Sequence, residues 1–96
     1  MIDLDQRHLE KVKEILAQLV PDIEVKAFGS RVVGGAKQYS DLDLVLMTDT
    51  PLPPIDRAHL EDAFEESDLP IRIDLVEWAT LSEDFRSIIT KSCELL

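Results

Sequence analysis

The sequence predicts a small α/β domain, a mixed β-sheet with helices packed on it. Three observations lead there. Apolar residues recur at three- and four-residue spacing near the start of the chain, the mark of an amphipathic helix. Three later stretches, 23–28, 42–47 and 71–76, are alternating or nearly all apolar over five or six residues, the mark of strands. Helical and strand patterns then alternate along the chain, which favours layers of helix on sheet.

The first helix is expected over residues 5–20, with Leu9, Val12, Leu16 and Leu19 on one face. Asp3 and Gln6 have capping-box spacing, and Pro21 stops the helix. Residues 23–28 alternate as a strand. Residues 29–40 read as a loop, with one helical turn before Gly34-Gly35. Residues 42–47 form a second strand, apolar apart from Asp43, so both of its faces are expected to be covered. Three prolines stiffen the linker at 49–54. Asp56 is placed to cap a helix running to Ser67, with Leu60, Ala63 and Phe64 inward. Residues 71–76 give a third strand. Thr80 and Glu83 have capping-box spacing before a last helix that carries Phe85, Ile88 and Ile89 on one face. Three strands leave exposed edges, so a partner or an oligomer formed through a sheet edge is expected.

A chain of 96 residues accommodates one domain, taken as 1–96, and buries roughly 60–65% of its unfolded surface. The 45% hydrophobic content is that of a globular chain. No apolar run approaches the ~20 residues of a membrane span, and residues 1–10 are too polar for a secretory leader. Cys93 is the single cysteine, which excludes an internal disulfide and a multi-cysteine zinc site. These features predict a reducing, cytoplasmic setting and no membrane partner.

Twenty acidic against ten basic residues give a formal net charge of −10. Phosphate-backbone binding needs clustered Lys and Arg, so no long nucleic acid is expected as a partner. Acidic chains of this kind bind divalent cations, phosphates bridged by those cations, or a basic protein, or the excess serves solubility alone. Glu61-Asp62 and Glu65-Glu66 read first as a solvated helix face and second as a face for a basic partner.

Chemistry concentrates between residues 28 and 44. Side chains two apart on a strand share a face, so Asp41 and Asp43 project together while Leu42, Leu44 and Leu46 face the core. Such a pair is either solvated at a strand end or held by a divalent cation. Mg²⁺ takes hard oxygen ligands from one or two carboxylates plus substrate phosphates. Asp74 is the one acid within 71–76 and shares a face with Arg72 and Val76. It either pairs with Arg72 or, if its strand lies beside 42–47, meets Asp41 and Asp43. Three convergent carboxylates can hold two metal ions for phosphoryl-type transfer. Gly29 permits backbone geometry that other residues resist, Ser30 and nearby amides can donate to phosphate, and Arg31 adds a planar donor fork. Gly35 and Ala36 stand where a P-loop needs Lys and Ser/Thr, which rejects that motif.

Gly29-Ser30-Arg31-x-x-Gly34, then Ser40-Asp41-Leu42-Asp43-Leu44, then a strand bearing Asp74, together resemble the minimal nucleotidyltransferases of the DNA polymerase beta-like superfamily. The resemblance runs from the first helix to the last. It implies a nucleotidyltransferase fold, Mg²⁺ as metal and ATP as nucleotide donor. It implies Asp41 and Asp43 as metal ligands, and Asp74 as the third acid, which helps activate the attacking hydroxyl. It implies Gly29, Ser30 and Arg31 at the triphosphate. Val33 departs from the pattern, standing where a second basic residue often sits, with Lys37 nearby. The small size is similar to that of the antitoxin half of HEPN/MNT pairs. That likeness implies transfer of AMP to a tyrosine of a helical HEPN toxin. The alternatives are an inactive antitoxin that works by binding, or a subunit acting on a small molecule.

His8 and His59 are read as surface residues, Cys93 as a packed or end thiol, and Trp78 and Tyr39 as packing residues. Ser40 is expected to cap its turn or to bond a carboxylate ligand.

Overall fold

The structure, a computed structural model, describes residues 2–96; Met1, the first residue of the predicted domain, lies outside them. The elements run α1 (Gln6–Leu19), β1 (Val25–Phe28), α2 (Ser30–Val33), β2 (Leu42–Leu46), α3 (Pro54–Glu66), β3 (Ile73–Glu77), a 3₁₀ turn (Trp78–Thr80), α4 (Glu83–Lys91) and β4 (Glu94–Leu95). The strands make one sheet in the order β3-β2-β1-β4. β1 pairs antiparallel with β2 and β4, while β2 and β3, joined through α3, run parallel. The sheet is mixed, as predicted. Its fourth strand is a correction. Two residues carry no readable alternation, yet Glu94 and Leu95 pair with Ala27 and Lys26 and cover the β1 edge.

The helix starts also differ from the predicted caps. Asp5, not Asp3, caps α1, accepting from the Arg7 amide at 2.8 Å. α3 begins at Pro54 with no side-chain cap, because the N-cap residue is Pro53, whose ring has no acceptor, and Asp56 lies inside the first turn. Ser82 caps α4 by accepting from the Phe85 amide, while the Thr80 hydroxyl donates to the Glu77 carbonyl.

α1 and α3 pack side by side. Val12, Ile15 and Leu16 of α1 and Leu60 and Phe64 of α3 join Val25, Ala27, Leu42, Leu44, Leu46 and Leu75 in one core cluster. Ile15 takes the buried place expected of Leu19, which is exposed. Arg57 fastens α3 to the β3 edge. It donates to the Leu75 carbonyl at 2.6 Å, to the buried Glu77 carboxylate at 2.8 Å and to Glu61 at 2.7 Å. Glu77 also accepts from the Leu52 amide, which draws in the proline linker.

On the opposite sheet face, α4 meets β1. The Phe85 ring stands edge-on to Phe28, with centroids 5.9 Å apart. Val45 and Ile89 are buried outside the main cluster, whereas Phe85 and Ile88 remain exposed, contrary to the predicted inward face. Tyr39 is 71% exposed and is not a packing residue. Trp78 lies under the Arg86 guanidinium, 5.0 Å from its centroid. Among the described residues no helix is long and apolar enough to cross a membrane.

Candidate active site

Alternation along β2 sends Leu42, Leu44 and Leu46 into the core and leaves Asp43 on the other face. Asp43 is the register partner of Asp74 on β3 and of Phe28 on β1. Register partners share a face, so Phe28, Asp43 and Asp74 form a row across the sheet. Asp41, two residues before Asp43, precedes β2 and acts on Asp43 electrostatically. Asp43 and Asp74 are thus brought together by the register, with the charge of Asp41 near them. No Asp74–Arg72 ion pair forms among the described residues, and Arg72 is exposed.

The Asp43 carboxyl titrates above the ordinary carboxylate range. Burial is the first cause, followed by the negative charge of Asp74, that of Asp41, and a hydrogen bond shared with Asp74. Each cause disfavours a second and third negative charge at this corner, and a bound cation removes that penalty.

Gly29 presses directly on this carboxylate. Its backbone has φ 78° and ψ −159°, a region reserved for glycine. A Cβ there would overlap the Asp43 Oδ2 and stand 3.1 Å from its Cγ. The chain turns at once into α2, whose first residue is Ser30. Gly29 and Ser30 thus stand beside the carboxylates, where the sequence places them.

Arg31 differs. It is 6% exposed, and its guanidinium donates to the main-chain carbonyls of Asp3, Lys37, Gln38 and Ser40. The expectation that its fork faces phosphate is corrected: the donors are spent on the protein's own backbone. Residue type predicted a cation near the turn, but only the return of residues 2–4 over the loop shows where it points. Ser40 takes the first of its two expected roles, accepting from the Lys37 amide at 2.8 Å to close the turn. Val33 is 69% exposed, and Lys37 is exposed with no ion pair among the described residues.

Among the described residues no group of three or more His, Cys, Asp or Glu side chains stands in a metal-holding arrangement. The donor set nevertheless suits Mg²⁺, which needs only one or two carboxylates and completes its shell with water and phosphate oxygens. The side-chain-free space at Gly29 is taken up by the Asp43 carboxylate itself. On the other flank a groove of about 480 Å³ runs between α3 and β3, lined by Arg57, Glu61, Phe64, Arg72 and Asp74 among others. Phe28 and Phe85 border the carboxylates opposite Asp74. The sequence does not reveal this, since only the β1–β2 register sets Phe28 against Asp43.

This geometry has known counterparts. The family model for the nucleotidyltransferase domain matches residues 9–96. A Haemophilus influenzae protein described as "Probable protein adenylyltransferase MntA" is 58% identical over 90 residues, which cover 94% of this chain and 79% of that protein. The crystal structure of a mutant of the toxin-antitoxin MntA-HpeT superposes with a TM-score of 0.71 at 25% identity, over 92% of this chain and 70% of that one.

Proposed function

The chain belongs to the nucleotidyltransferase domain family, and from that premise we propose that it transfers AMP from ATP to a hydroxyl of a protein partner, a tyrosine of a helical HEPN-type toxin, and so acts as an antitoxin. The likeness to an MntA adenylyltransferase and to the MntA-HpeT pair supports this reading. The observation that carries it is the facing of Asp43 and Asp74 across the β2–β3 ladder, with the charge of Asp41 acting on Asp43 and Gly29 packed against the Asp43 carboxylate.

Bound Mg²⁺ supplies charge neutralisation at phosphate oxygens and lowers the pKa of a coordinated hydroxyl. Asp41 and Asp43 would hold the metal, and Asp74, hydrogen-bonded to Asp43, would stand beside it. Ser30 and the adjacent amides position the phosphates. Asp74 lines the groove on the β3 side, so the acceptor enters there, and Asp74 orients its hydroxyl and takes its proton. The acceptor oxygen bonds to the α-phosphorus, and the bond from that phosphorus to pyrophosphate breaks.

The test incubates the protein with α-phosphate-labelled ATP, Mg²⁺ and a co-expressed HEPN-type partner. Label on a partner tyrosine is expected, with at least a 100-fold loss in Asp43→Asn. No transfer, or equal transfer by Asp43→Asn, overturns the reading. The exposed Val33, in place of a second basic residue, favours a second reading in which the protein neutralises its partner by binding alone. Calorimetric titration with Mg²⁺ and ATP separates the two. A tight complex with the partner and no nucleotide binding selects the second.

A further inference from the structure

We infer that Arg31 is a positioning residue: it sets the path of the chain into Asp41 and ties that path to the segment around Asp3. The inference rests on the reading of Asp41 as a metal-holding carboxylate.

The geometry is a four-point clamp. Arg31 Nε donates to the Ser40 carbonyl at 3.0 Å, Nη1 to Asp3 at 2.6 Å, and Nη2 to Lys37 at 3.3 Å and Gln38 at 3.1 Å. The backbone returns the contact, since the Asp3 amide donates to the Arg31 carbonyl at 2.7 Å. The Ser40 carbonyl belongs to the peptide unit that carries the Asp41 N–H, so holding that plane sets where the Asp41 side chain leaves the chain. Downstream, the Leu42 amide is fixed to the Arg72 carbonyl at 3.0 Å. Upstream, residues 37–40 close on themselves through Ser40 N to Lys37 O at 3.1 Å and Lys37 N to Ser40 Oγ. That closure shapes the turn but does not attach it to the body of the molecule. Among the described residues Arg31 supplies the hydrogen bonds that attach it. Asp41 thus sits between an anchored strand and a turn held by the Arg31 guanidinium.

The residue type suits the task. A guanidinium spreads five donors in a rigid plane and reaches carbonyls far apart in sequence, whereas a lysine ammonium offers three donors from a single point. All four partners are neutral carbonyls, and turning the fork toward a phosphate would take its donors from them, the Lys37 carbonyl alone keeping the Ser40 amide. A displacement of about 1 Å in a reacting group costs on the order of 10²-fold in rate.

The experiment compares wild type, Arg31→Lys and Ser40→Ala, the last loosening the same turn without altering Arg31. Amide hydrogen exchange without metal is expected to speed at least 10-fold over residues 37–42 in Arg31→Lys, with the α1 and α3 amides unchanged. Mg²⁺ titrations at saturating ATP are expected to need roughly 10-fold more metal, with the KM for ATP changed less than 3-fold. Ser40→Ala shifts both in the same direction by a smaller factor, and decides the matter if Arg31→Lys does not fold. Unchanged local exchange overturns the inference, as does a lowered Tm with wild-type Mg²⁺ dependence. A raised KM for ATP with wild-type Mg²⁺ dependence overturns it in favour of direct phosphate contact. If wild type neither binds Mg²⁺ with ATP nor transfers AMP, the proposed function fails while the exchange data still decide the tether.

Discussion

Asp43 and Asp74 face each other across the parallel β2–β3 ladder, one register step from the core pairs Leu42–Ile73 and Leu44–Leu75. The two acids cannot slide apart without moving those apolar pairs out of line. Packing on one face of the sheet therefore holds two mutually repelling carboxylates together on the other, and burial, with this repulsion added, makes Asp43 bind its proton more tightly.

Asp43→Asn is expected to raise Tm in metal-free buffer at neutral pH, by about 4–8 °C for each kcal/mol of repulsion relieved. The folded carboxyl has a raised pKa, so protonation favours the fold. That contribution is fully present below the ordinary value of about 3.9 and is lost as pH rises through the folded value. The stability gap between variant and wild type should therefore widen with pH through that window and then level off. Thermal melts from pH 3 to 8 check this, and a gap that narrows with rising pH would contradict it. Added Mg²⁺ should close the gap by stabilising wild type alone.

Gly29→Ala is expected to destabilise by roughly 1–3 kcal/mol, since φ 78° with ψ −159° suits only glycine and the new methyl meets the Asp43 carboxylate. Asp43→Ala in the same chain removes the second cause but not the first. A double-mutant cycle by urea unfolding should show a coupling of about 0.5–3 kcal/mol. Strict additivity would mean that the backbone conformation alone carries the cost.

Arg57→Met should cost about 2–4 kcal/mol, because it leaves the buried Glu77 without its cation and frees the Leu75 carbonyl. Adding Glu77→Gln should recover part of that loss, and equilibrium unfolding measures both.

Phe85→Ala is expected to cost about 1–2 kcal/mol, combining a partly exposed ring with an edge-on aromatic pair. Phe85→Leu should recover part of the burial and none of the ring-ring term. Chemical denaturation of the two variants checks this, and a Phe85→Leu variant as stable as wild type would show that the pair itself contributes nothing.

What the sequence reveals follows from local periodicity. The parity of Asp41, Asp43 and Asp74 is readable because strands repeat every two residues and the leucines and isoleucines between them mark the core side. The β2–β3 register is not readable, since it is set by how α3 crosses over the sheet. Glu94-Leu95 is too short for any pattern, and pairing with β1 alone makes it a strand. Arg31 shows the limit most plainly. Its type and its place after Gly29 suggest a phosphate contact, but its direction depends on residues 2–4 folding back from 28 positions away. Caps fail for a related reason: Asp3, Asp56 and Thr80 all have suitable chemistry, and the exact start of each helix decides which neighbour is used.

The bond from Arg57 to the Leu75 carbonyl has a consequence for the protein in concentrated solution. Of the two sheet margins, β4 is only two residues long and β3 carries a cationic side chain across its outward main chain. Neither offers a strand from another copy a long row of free donors and acceptors to zip onto. Arg57→Met frees the Leu75 carbonyl in the middle of β3, so that variant is the one to watch for edge-to-edge association during storage.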